Sequence, residues 1–113
     1  MRRMIDETFK KIQARLEKAE QLSPQQRAEL MDLMASLRLE IDGLSRTNLD
    51  QAQSIAGFAD LSTHEATRSE PKPQLMALSR EGLTTTVEGF EAAYPRLTEI
   101  VNRISTTLSN LGI

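Results

Sequence analysis

The sequence predicts an all-α protein, an elongated helical bundle with an N-terminal antiparallel hairpin and a long, Pro-kinked C-terminal helix. Between Leu83 and Leu111, apolar residues recur in alternating steps of four and three, at Leu83, Val87, Phe90, Tyr94, Leu97, Val101, Ile104, Leu108 and Leu111. A repeat of about 3.5 residues is the coiled-coil spacing, which keeps one side of a helix turned to a single partner. The 113 residues include three Phe, one Tyr and no Trp, so the core must be aliphatic. That suits helices packed on helices better than a sheet sandwich. Ser23, Pro24 and Gln26 also stand between two apolar stripes as a capping box with proline at the first helical position.

The first helix is expected over about 4–21, where Ile5, Phe9, Ile12, Leu16 and Ala19 share a face and Lys10, Lys11, Arg15, Glu17 and Lys18 face water. The second is expected over 24–43, with its stripe at Leu30, Met34, Leu37, Ile41 and Leu44, flanked by Met31 and Leu33. The short connection makes these two an antiparallel hairpin. After Gly43 either the second helix continues through a kink or a turn intervenes, with Thr47 or Asn48 capping a third helix. The break is preferred, and the third helix then covers about 48–68 with a thin face of Leu49, Ala52, Ile55, Ala56, Phe58, Ala59 and Leu61. Pro71 and Pro73 end it, because each removes a donor and pushes its predecessor toward extended backbone.

The last helix is expected over 74–111, with Leu75, Met76 and Leu78 leading into the seam. Locally it is a poor helix: Gly82, Gly89, the Thr84–Val87 run and Pro95 together cost on the order of 7 kcal/mol. Burial of Leu83, Val87, Phe90, Leu97 and Val101, at roughly 1.5–3 kcal/mol each, outweighs that only if something covers the face. Pro95 either kinks the helix or starts a fifth one; the unbroken register and the poor N-cap offered by Tyr94 favour the kink. Gly82, Thr86, Gly89 and Ala93 form a line of small residues where another helix can approach. Gly112 and Ile113 read as a Schellman stop, with Ile113 folding back on Leu108. A helix over 74–111 would be about 60 Å long. Shorter neighbours would leave its seam partly bare, so Leu83, Val87, Phe90, Leu97, Val101, Ile104 and Leu108 become a candidate homodimer interface.

Chemistry is sparse. The net charge of −2 is spread without a basic block, which argues against nucleic-acid binding. No Cys is present, which removes disulfides, thiolate metal sites and cysteine nucleophiles. Charged residues from Asp6 to Lys11 leave no signal-peptide core, and no apolar run is long enough to span a bilayer, so a cytoplasmic protein is expected. The single histidine, His64, lacks the second His or the Glu that a zinc-peptidase or di-iron helix requires, so neither a metal nor a cofactor is expected. Glu65 and Arg68 stand three apart and can pair, clamping the end of the third helix. Glu91, four residues before Pro95, would lose the donor to its carbonyl in a continuous helix, and Tyr94 brings a hydroxyl nearby. His64, Glu65, Arg68, Glu91 and Tyr94 are therefore the candidate polar cluster, and no catalytic residue is assigned.

Thr63-His64-Glu65-Ala66-Thr67-Arg68 followed by Glu70-Pro71-Lys72-Pro73, then Phe90-Glu91-x-x-Tyr94-Pro95-x-Leu97-Thr98, and the closing Leu108-Ser109-Asn110-Leu111-Gly112-Ile113 resemble a family of short bacterial helical proteins catalogued only as a domain of unknown function. Members often carry His at the position of Tyr94. The resemblance covers most of the chain and implies a small all-α bacterial protein without implying an activity. The expected function is that of a non-enzymatic, oligomeric interaction or scaffold protein, a homodimer with a further protein partner. The alternative is a bundle holding a small ligand or ion at the polar cluster.

Overall fold

The computed structural model describes residues 2–111. Among them are five α-helices: α1 (Arg2–Lys18), α2 (Pro24–Ser45), α3 (Leu49–Ala66), α4 (Pro73–Thr85) and α5 (Pro95–Ser109). The helices α2, α3, α4 and α5 pack each on the next, and α5 packs back on α2, which closes a four-membered ring. The helix α1 lies outside the ring against α2 and α3.

Each start and stop has a local cause. Ile5, Phe9, Ile12 and Leu16 are buried on one side of α1. The helix ends at Lys18, short of Gln21, because Leu22 turns into the core and the chain tightens through Ala19 N–H to Leu16 O at 3.3 Å. The carbonyls at the end of α1 accept only long turn bonds from the chain itself, and Arg27 of α2 adds a charged donor, to Leu16 O at 3.0 Å and to Ala19 O, placing a cation where the dipole favours one. The capping box closes α2 reciprocally: Gln26 N–H donates to Ser23 Oγ at 3.1 Å and Ser23 N–H to Gln26 Oε1 at 3.0 Å. Gly43 lies inside α2, and the break falls after Ser45, with Asn48 Oδ1 accepting from Gln51 N–H at 3.2 Å to cap α3.

The helix expected over 74–111 is two helices. Thr84 and Thr86 hydroxyls donate to the carbonyls of Glu81 and Leu83, Gly89 adopts φ +85, and Phe90 N–H turns back to Val87 O at 3.0 Å. A left-handed residue cannot sit within an α-helix, and glycine reaches that conformation without the Cβ clash. Pro95 then takes the first position of α5, where its missing N–H costs nothing.

The chain thus reverses between residues 86 and 94, and the expected elongation is lost. The radius of gyration is 13.1 Å and the extents are 37 × 26 × 22 Å. A single compact domain of this length has a radius near 13 Å. The apolar register survives the reversal: Leu83, Val87, Leu97, Val101, Ile104 and Leu108 are all buried by their own chain, and Phe90 is half-buried against the core. These residues are core rather than exposed interface. Gly112 and Ile113, and with them the expected Schellman stop, lie outside the described residues.

Candidate functional site

The five residues expected to form one polar cluster fall into two groups. At the end of α3, Glu65 is buried at 5% exposure and accepts from Arg68 Nη1 at 2.9 Å. His64 Nε2 stands 3.9 Å from the other Glu65 oxygen, with the imidazole half exposed. Gln21 Nε2 donates to Arg68 O at 3.2 Å, so the turn after α1 is tied to the loop after α3. A buried carboxylate needs this pairing, because an unpaired one costs several kcal/mol. Glu65 and Arg68 therefore fasten a helix end. Next to them, His64 lines a shallow cleft of about 370 Å³ with Arg15, Gly57, Asp60 and Leu61, where Asp60 is held by Arg15 at 3.2 Å and Lys11 at 3.5 Å.

Glu91 and Tyr94 belong to the connection between α4 and α5. Tyr94 Oη is 3.4 Å from Thr47 Oγ1, and its ring lies 6.0 Å from that of Phe90 at an interplanar angle of 40°. Gln51 Nε2 donates to Thr86 O, so this connection is pinned at one end to the first turn of α3 and at the other to the turn between α2 and α3. Glu91 lines a different cleft, of about 540 Å³, with Glu29, Pro95, Glu99 and Arg103. The anchoring roles of Thr47 and Gln51 carry no signal in the sequence, because each partner lies 35 or more residues away. Among the described residues, no three His, Asp or Glu side chains are grouped to hold a metal ion, and no helix is long and apolar enough to cross a membrane.

The surface holds apolar residues that the sequence pattern places inward. Phe58 (36%), Leu61 (43%), Leu75 (41%) and Leu78 (56%) are exposed on α3 and α4. Phe58 fits the notch at Gly82, where a Cβ would meet its ring. That contact fixes the register between α3 and α4, and one helical turn along it brings Leu61 level with Leu78. Leu75 follows Leu78 on the same side. The four make one apolar strip along the outer α3–α4 seam. A second apolar feature is a half-enclosed groove of about 620 Å³ between α1 and α2, floored by Phe9, Leu16 and Met34 and edged by Met31, Ala35 and Leu39. Leu39 is 74% exposed.

Comparison with protein-family models, with curated proteins and with solved structures gives no match.

Proposed function

We propose that this is a non-enzymatic, oligomeric interaction or scaffold protein of the cytoplasm, acting through apolar helix faces that other protein chains cover. The observation that carries the reading is the α3–α4 strip of Phe58, Leu61, Leu75 and Leu78. Four large apolar side chains on adjacent helices make a patch rather than scattered exposure, and such patches mark interaction sites. The core of the chain is complete without them. The cysteine-free composition fits a reducing compartment, and the family resemblance fits a small helical protein. A ligand site uniting His64, Glu65 and Arg68 with Glu91 and Tyr94 has less support, since the two groups line different clefts.

Photo-crosslinking in cells tests the reading. A photoreactive residue at Leu78 should give discrete protein adducts, absent with the probe at exposed Glu17, and Leu61→Glu should abolish them without lowering the melting temperature. No adduct at position 78, or adducts indifferent to Leu61→Glu, would reject it.

A further inference from the structure

The outward face of α2 is a different surface from the strip, and its charges are arranged about a centre. Ala28, Met31, Asp32, Ala35, Arg38, Leu39 and Asp42 recur at helical spacing on the side opposite the buried Leu30, Leu33, Leu37 and Leu44. Asp32 and Arg38 stand three residues to either side of Ala35, and so equal distances along the axis from it. Asp32 is exposed and makes no ion pair among the described residues. Arg38 Nη2 donates to Asp6 at 2.9 Å, and the guanidinium stays 40% exposed with donors to spare.

A two-fold rotation that packs two α2 helices antiparallel through Ala35 sets each residue level with its mirror about position 35. Asp32 of one copy then comes level with Arg38 of the other, twice, the acid on one flank of the Ala35 line and the arginine on the other, so that the arginine side chain reaches across the line to pair. Met31 of one copy comes level with Leu39 of the other, and alanine at the centre lets the backbones approach. A parallel arrangement brings like charges level instead. The face is therefore complementary to itself in charge and in apolar content, as an isologous interface requires. The helix α2 is roughly 33 Å long, and α1 flanks the face on the side of Arg38, through the Arg38–Asp6 pair.

We propose that a second copy of this chain docks antiparallel on the outer face of α2 about Ala35, with Asp32 of each copy paired to Arg38 of the other. This deepens the oligomeric reading above and rests on it, while using a surface that leaves the α3–α4 strip open.

Sedimentation velocity on the full chain tests it by charge exchange. The parent protein should be a dimer at micromolar concentration. Asp32→Arg, which leaves the Arg38–Asp6 pair intact, should weaken the dimer at least about tenfold by setting arginines against each other. Arg38→Asp should do the same by setting acids together. An equimolar mixture of the two should regain a dimer, since each new charge then faces its opposite. Far-ultraviolet circular dichroism confirms that each variant folds, and Ala35→Glu gives an independent block at the centre. A monomeric parent, a dimer indifferent to Asp32→Arg, or folded variants that fail to complement would overturn the α2 interface. Crosslinks at Leu78 that persist in the Asp32→Arg variant would keep the interaction reading standing even then.

Discussion

Three glycines respond to a methyl group in three ways, each fixed by what surrounds it. A Cβ at Gly57, inside α3, meets nothing within 4 Å, so Gly57→Ala should stabilise by about 1 kcal/mol through helix propensity alone. Gly89 at φ +85 is also open to solvent, yet Gly89→Ala should destabilise by about 1–2 kcal/mol because an L side chain is strained at that φ where glycine is not. At Gly82 the added carbon runs into the Phe58 ring, and Gly82→Ala should cost about 1–2 kcal/mol net of its propensity gain. In a Phe58→Ala background that last change should turn favourable. Urea unfolding of the single and double variants measures all four values; a Gly82→Ala cost that ignores residue 58 would refute the notch. The Glu65–Arg68 pair is legible in the sequence because its partners are three apart on one helix. The Tyr94–Thr47 and Gln51–Thr86 contacts are not, because only the completed fold brings their residues together.

Among the elements, α1 to α3 are readable where caps and prolines mark their ends, to within about three residues. The departure from expectation falls after α4, and it has a physical cause. Apolar spacing reports which residues are buried, not whether the backbone between them is continuous. Val87 and Leu97 are both core, yet Gly89 and Pro95 separate them. The propensity penalty is the better guide: the chain meets it by reversing rather than by bending. Pro95→Ala distinguishes the two arrangements. At the first position of α5 the proline carries no penalty, so alanine should change stability by less than about 1 kcal/mol, with a loss as the expected sign. Inside a continuous helix the same change would gain about 3 kcal/mol. Thermal unfolding separates these outcomes, and a large gain would contradict the break.

At the scale of the molecule, the ring of α2 to α5 closes through contacts between its first and last members. Thr107 Oγ1 donates to Glu29 Oε1 at 3.1 Å across that junction, and Leu97, Val101, Ile104 and Leu108 supply its buried side. Removing residues 95–111 should expose the inner faces of both α2 and α4. The shortened chain should lose its cooperative thermal transition and bind a hydrophobic dye; a sharp transition at the parent temperature would show that the ring is dispensable. The apolar spacing marks these residues correctly as covered and misleads about what covers them, because a seam of that length suggests a rod.

The contact between Thr107 and Glu29 joins residues 78 apart in sequence. The other junctions of the ring join helices that are neighbours in the chain and can form over short loops. Closure entropy grows with the separation of the ends, so the α2–α5 junction should be the slowest to form and should set the folding rate. During synthesis α2 is made well before α5, and its inner side waits uncovered for that interval. A helix so exposed is open to whatever apolar surface arrives first, which makes the time between the two helices, rather than the finished contact, the vulnerable part of this fold.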